Sequence, residues 1–211
     1  MNPISLQELN DAIAPSGEFS GIIFDCDGTL ADTMPNHFAA WTAALSSHGA
    51  VFSEDLFYSL GGMPTDDIVR FLNRKFGYTL DIADTHENKE KLYTDLLYQV
   101  QEITDVANVA RAYKGTVPLA VASGGRRSVV EATLKTVGLT ELFDVIVTAD
   151  DVQNGKPAPD IFLFAAERMG VSPAECIVYE DGDPGIVAAK AAGMRVVDVR
   201  VLKMSVGTQS K

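Results

Sequence analysis

Short apolar runs alternate with amphipathic stretches along most of this chain, and the alternation is interrupted once. The first run, residues 21–24, is Gly-Ile-Ile-Phe, continuous rather than alternating, as in a strand buried on both faces. Comparable runs occupy 117–122, 145–148, 177–179 and 196–199, with helical stretches between them. That rhythm predicts an α/β fold with a doubly wound parallel sheet. From about residue 35 to 105 it gives way to helical periodicity with no convincing strand. Phe38, Trp41 and Leu45 recur at helical spacing within 37–47. Thr65-Asp66-Asp67 opens a second helix through Ile68, Phe71 and Leu72, with a capping residue and an acidic first turn, and 87–100 reads as a third. The expected division is a core made of 1–34 and 106–211 and an inserted α-helical cap domain over 35–105. The first twenty residues carry few signals, and the tail after Leu202 is polar enough to fray.

The ends of the apolar runs carry the chemistry. The first leads into Asp25-Cys26-Asp27-Gly28-Thr29-Leu30. Ligands of open α/β sheets bind at the carboxyl ends of strands, and residues two apart along a strand point the same way. Asp25 and Asp27 are thus placed to converge on one bound atom, where two like charges need a cation; an Asp-rich turn that only caps a strand has the same local pattern. The second run ends in Ser123-Gly124-Gly125-Arg126-Arg127, a hydroxyl and glycine N–H groups before a helix, which is either a phosphate cradle or a plain serine turn. In Asn154-Gly155-Lys156-Pro157-Ala158-Pro159-Asp160, two prolines stiffen the backbone around one lysine, and Asp160 is placed to cap a helix from Ile161. The run at 177–179 enters Glu180-Asp181-Gly182-Asp183, whose hard oxygens suit Mg²⁺ or, equally, an acidic turn at a helix start. Four such segments, each following an apolar run, point together to a phosphate-handling site.

Composition narrows the alternatives. With 46% hydrophobic and 22% charged residues over 211 positions, the chain is globular and long enough for one core plus an insert. No apolar stretch approaches the roughly 18 residues of a membrane span. The first basic residue is Arg70, so a basic secretory leader is not expected, and a cytoplasmic protein without a membrane partner is. Cys26 and Cys176 read as buried thiols, the first lying where oxidation would touch the site. A net charge of −12 without a basic stripe argues against nucleic acid. A phosphate site must then build its positive potential locally, and a monomer or weak homodimer is expected.

In the order Asp25-x-Asp27-Gly-Thr-Leu, Ser123, Lys156-Pro-x-Pro-Asp160 and Glu180-Asp181, the chain resembles the haloacid dehalogenase superfamily over about residues 21–201. The stretch 35–105 resembles the helical cap of its β-phosphoglucomutase-like branch, where Asp32-Thr33, His37 and Trp41 also match in spacing, and 156–193 resembles fructose-1-phosphate phosphatase-like members. The resemblance implies a Rossmann-like core, Mg²⁺ as cofactor and a small phosphorylated sugar as substrate. It implies that Asp25 is the nucleophile of an aspartyl-phosphate intermediate and Asp27 the acid and then the base. Ser123, the Gly124 N–H and Lys156 would hold the phosphate. The metal would be held by Asp25, the Asp27 carbonyl and Asp181, with Glu180 reaching it through water. Asp27 excludes the dehalogenase reaction itself, because that position marks the phosphoryl-transfer members.

The cap would supply His37, Trp41, Gly62 and Thr65 to the substrate, with Trp41 alternatively part of the cap core and His37 a solvated helix-start residue. In the segment 60–65 the chain has Gly61 and Thr65 where the mutases carry a lysine and an arginine that grip a second phosphate. A phosphatase is therefore favoured over a phosphosugar mutase, which stays open through Arg70, Lys89 or Lys91. A non-catalytic phosphate-binding regulator is disfavoured by the intact Asp25 and Asp27. Asp183 stands either as charge near the metal or as a helix N-terminal carboxylate, Arg126 as a guide for phosphate, and Arg127 at the surface.

Overall fold

Four apolar residues, all buried, form β1 (Gly21–Phe24) at the centre of a five-stranded parallel sheet. The computed structural model describes residues 9–202, so the expectation of a frayed tail after Leu202 lies outside the described residues. β1 pairs with β2 (Leu119–Ala122) on one side and β4 (Cys176–Glu180) on the other; β3 (Val145–Val147) and β5 (Arg195–Asp198) complete the order β3-β2-β1-β4-β5. Pleating sends alternate residues to opposite faces. Ile22, Phe24, Leu119, Val121, Ile177 and Tyr179 meet α5 (Thr104–Tyr113) and α6 (Arg127–Thr136). Ile23, Ala120, Ala122, Cys176 and Val178 meet α7 (Asp160–Met169) and α8 (Asp183–Ala191). Burial on both faces explains why these strands read as continuous apolar runs.

Between β1 and α5 the chain forms α1 (Met34–Ser46), α2 (Glu54–Ser59), α3 (Thr65–Phe76) and α4 (Ile82–Thr94). Trp41, Leu45, Phe57, Ile68, Val69 and Leu72 share a separate apolar cluster, with Trp41 set edge-on against Phe52 at 5.6 Å. Each such side chain stabilises the packing by roughly 1.5–3 kcal/mol. A second cluster, with Ala40, Tyr93, Leu97 and Val129, joins these helices to α6, and the Tyr93 hydroxyl pairs with Thr133 Oγ1 at 3.0 Å.

Several local expectations are corrected. α1 starts three residues before His37, with Pro35 in its first turn, where a missing N–H has no helical acceptor to lose. The third helix begins at Ile82 and stops at Thr94, a 3-10 turn following at Leu97–Gln99. α2 and α5 were not anticipated. No side chain caps α3: the Thr65 hydroxyl instead turns to Glu90 Oε1 at 3.3 Å. Asp160 is the first residue of α7 rather than its cap, and accepts from Asn154 Nδ2 at 2.8 Å. The quiet N-terminal stretch places Leu9 and Ile13 in the core, where the Tyr179 hydroxyl donates to the Ile13 carbonyl at 2.7 Å. No helix among the described residues is long and apolar enough to cross a membrane.

Candidate active site

The sheet changes direction of growth between β1 and β4, and the carboxyl ends of β1, β2 and β4 meet there. Pairing with β4 continues past β1 through Asp25, whose N–H donates to the Tyr179 carbonyl at 2.9 Å. Its carboxylate is buried and accepts from Lys156 Nζ at 2.6 Å; the same ammonium reaches Glu180 Oε1 at 2.7 Å. Glu180 Oε2 accepts the Gly182 N–H at 2.6 Å. Burial pushes the Asp25 carboxyl well above its usual range; Lys156 opposes that, and Glu180, Asp181 and Asp27 add to it. Lys156 is also wholly buried, which disfavours its charge, yet Asp25 and Glu180 outweigh burial and hold it protonated.

Asp27 lies beside this group, its carboxylate facing the helices. Oδ1 accepts from Thr33 Oγ1 at 2.8 Å and pairs with His37 Nε2 at 3.1 Å, while Ser123 Oγ stands 3.4 Å from Oδ2. Burial opposes its charge, but His37 and Thr33 prevail and bring Asp27 down to about 2. The His37 imidazole is itself pushed below its usual value, by burial and then by Lys89, so the ring is neutral and donates through Nε2. Its Nδ1, buried without a partner, is then a bare lone pair rather than a stranded N–H. Tyr93 stacks on the ring at 3.8 Å and 9°. His37 therefore orients Asp27, not the neighbouring Asp25.

Asp25, Glu180 and Asp181 bring carboxylate oxygens within 4.8 Å of one another, with Thr29 Oγ1 3.4 Å from Asp181 Oδ1. Three acids against one ammonium leave an excess of negative charge on hard oxygens, which fits a divalent cation. The carboxylate of Asp27 lies outside that trio, leaving its main-chain carbonyl for such an ion. Both Glu180 oxygens already hold partners, Lys156 on Oε1 and the Gly182 N–H on Oε2. Gly28 has φ +87°, and a Cβ there would run into the Asp181 carboxylate. Gly28→Ala is accordingly expected to destabilise the fold by more than about 1 kcal/mol and to displace Asp181. Urea unfolding reads the first effect, and weakened divalent-cation binding in calorimetry the second.

Ser123 is buried, and its Oγ accepts the Gly125 N–H at 3.1 Å. A Cβ on Gly124 would stand 2.6 Å from the Gly62 carbonyl, so the 60–65 segment can rest on this turn only because the position is glycine. A cavity opens between them. Asp25, Asp27, Gly124, His37, Trp41, Gly62 and Thr65 all line it, so Trp41 serves both the helical core and the cavity wall. Lys89 and Glu90 line it too; the sequence reading left Lys89 open as a second-phosphate cation and missed Glu90. Arg70 pairs with Asp66 and Asp67 outside this cavity, and Lys91 is exposed. Arg126 faces a different cleft, near His86, and Arg127 binds Asp151 at 2.6 Å. Asp183 pairs with Arg200 at 2.7 Å at the surface. Burial, and after it the two aspartates, keep the Cys26 thiol protonated and shielded, which makes it inert.

The model of the haloacid dehalogenase-like hydrolases matches residues 19–193. The chain belongs to that family. Among similar members is fructose-1-phosphate phosphatase YqaB of Escherichia coli, 40% identical over 184 residues, covering 87% of this chain and 98% of that protein. The phosphorylated carbohydrates phosphatase of Thermotoga maritima is 32% identical, covering 82% and 81%. Among solved structures, a β-phosphoglucomutase from Clostridium difficile superposes with a TM-score of 0.75 at 26% identity, covering 84% and 83%. In this haloacid dehalogenase-like hydrolase, Asp25 and Asp27 line one cavity.

Proposed function

We propose that this hydrolase is a Mg²⁺-dependent phosphatase of small sugar phosphates, fructose 1-phosphate or a related hexose phosphate, working through an aspartyl-phosphate on Asp25. The observation that carries the reading is the convergence of two differently held carboxylates in one cavity: Asp25 against Lys156, and Asp27 against Thr33 and His37. The phosphatase names of the two curated relatives support the substrate class.

In this reading Asp25 attacks phosphorus, forming the Asp–O–P bond as the sugar oxygen departs. Asp27 rests ionised, and a phosphate dianion entering beside it favours its protonated form. It gives that proton to the leaving oxygen, then takes one from the water that cleaves the aspartyl ester and regenerates Asp25, a role typically worth about 10²–10⁴-fold. Ser123 and the Gly124 N–H donate to the phosphate oxygens; Lys156 uses two of its three N–H bonds on Asp25 and Glu180, leaving one for phosphate. Asp25, Asp181 and the Asp27 carbonyl would hold Mg²⁺, whose charge offsets the repulsion between the acids and the phosphate. The helices over the cavity exclude water and read the sugar.

The test is phosphorus NMR of the protein with Mg²⁺ and a panel of sugar monophosphates, with and without a sugar bisphosphate. Orthophosphate should accumulate, and EDTA should stop it. A phosphoryl group relocated on the same sugar would instead establish a mutase.

A further inference from the structure

The cavity wall facing the aspartates carries an ion pair on consecutive residues of α4. Lys89 and Glu90 are 5% and 13% exposed in their side chains, and Lys89 Nζ lies 2.9 Å from Glu90 Oε1. The same oxygen receives the Thr65 hydroxyl at 3.3 Å, and His86 Nε2 stands 3.8 Å away. The ammonium faces the rings of Trp41 and Tyr93 at 5.9 and 5.5 Å. Glu90 Oε2 is different: it is buried and has no hydrogen-bond partner. Burial pushes the Glu90 carboxyl up, Lys89 pulls it down further, and the balance lies below the usual range, so the group is a carboxylate.

A buried carboxylate oxygen without a donor is costly to keep. It persists in a ligand cavity with a purpose when the ligand brings the donor. A carboxylate accepts and never donates, so the group it takes here is O–H or N–H, not a second phosphate or an acid. Among the described residues, the lysine of the cap that lines the cavity is neutralised by the same residue.

We propose that Glu90 sets the substrate class of this cavity: its free oxygen accepts hydroxyls of a polyhydroxylated monophosphate, and its hold on Lys89 denies that cation to a second anionic group. This rests on the phosphatase reading above and sharpens it to sugar or polyol monophosphates without a further charge. Glu90 thus supplies both the attraction to the right substrate and the repulsion of the wrong one.

Glu90→Gln keeps the shape, removes the charge and leaves Lys89 at most a neutral hydrogen bond in place of its ion pair. With the full-length protein and Mg²⁺, phosphate release is measured from fructose 1-phosphate and from p-nitrophenyl phosphate, with fructose 1,6-bisphosphate as the competing ligand. Relative to p-nitrophenyl phosphate, kcat/KM for fructose 1-phosphate should fall at least about tenfold in the variant, because the amide, keeping its oxygen toward Lys89 and Thr65, turns an NH2 donor to the cavity where the charged acceptor stood. The inhibition constant of the bisphosphate, taken as a ratio to the KM of the monophosphate, should fall by at least about tenfold as Lys89 becomes available. Both readouts are ratios on the same active sites, so partial misfolding does not move them. Should Glu90→Gln fail to fold, Glu90→Asp replaces it, with the first ratio falling and bisphosphate binding staying weak. Either expected change remaining within about twofold overturns the proposal. A parent protein that releases phosphate from neither ester sinks the phosphatase reading and this one with it, whereas normal turnover with unmoved ratios sinks this one alone.

Discussion

Asp25→Asn is expected to lose at least about 10⁴-fold in kcat while remaining folded, as removal of a nucleophile does elsewhere. The interest lies in combining that loss with stability. Asp25 is buried among Glu180, Asp181 and Asp27, and its ionised form is disfavoured first by burial and then by those charges, with Lys156 alone in its support. Replacing it with a neutral amide of the same shape removes one of four crowded acids and leaves Lys156 its bond to Glu180. In the absence of divalent cation, the variant should therefore melt no lower than the parent, and higher by up to a few degrees, on the order of 1 kcal/mol. A thermal melt in EDTA, paired with single-turnover phosphate release, checks both halves. Full turnover in the variant would refute Asp25 as nucleophile, and a large drop in melting temperature would show that the carboxylate holds the sheet end together.

Lys156→Met should act in the opposite sense on stability and in the same sense on activity. Lys156 is completely buried between Asp25 and Glu180, and removing one partner of a buried ion pair typically costs about 3–5 kcal/mol because the remaining charges stand uncompensated. The pH dependence follows with a definite sign. In the parent, the ammonium favours the ionised carboxylates. Asp25 already sits above its usual range in the parent, and loss of Lys156 raises it further, so its ionised form costs the variant more stability and relief comes as pH falls through the raised value. The stability gap between parent and variant should therefore narrow between about pH 7 and pH 5, as urea unfolding at several pH values would show. A gap that widens on acidification would contradict this account of the triad. Activity should fall with the variant at every pH, since the same ammonium is proposed to hold the phosphate.

The parts legible in the sequence were those encoded by apolarity or by a short motif. β1, β2 and β4 are buried on both faces, so each reads as an unbroken apolar run, and Asp25, Asp27, Ser123, Glu180 and Asp181 follow from the ends of those runs. Lys156 was visible through the stiff prolines beside it. Glu90 was not, because Glu87-Asn88-Lys89-Glu90-Lys91 has the composition of a solvated helix face. α4 buries Thr85, His86, Lys89 and Tyr93, so its inward side is polar and carries little hydrophobic signal. α2 was hidden for a related reason: six residues bury only Phe57. The role of Thr65 was misread because a hydroxyl before two acids looks like a cap, whereas its partner is 25 residues away on another helix. Helix ends and long-range polar pairs depend on where elements dock, which local composition does not contain.

Tyr179 ends in a hydroxyl that, inside the sheet, has its acceptor on the segment preceding β1. The family match begins at residue 19, yet Leu9 and Ile13 pack into the core cluster that holds Tyr179, the residue just before the acidic pair Glu180-Asp181. The unit that must be produced for crystallisation, display or fusion is therefore wider than the homologous span. A version cut at residue 19 would uncover the apolar neighbours of Leu9 and Ile13 and strand the Tyr179 phenol, so the molecular boundary that matters for handling this enzyme is drawn by packing rather than by kinship.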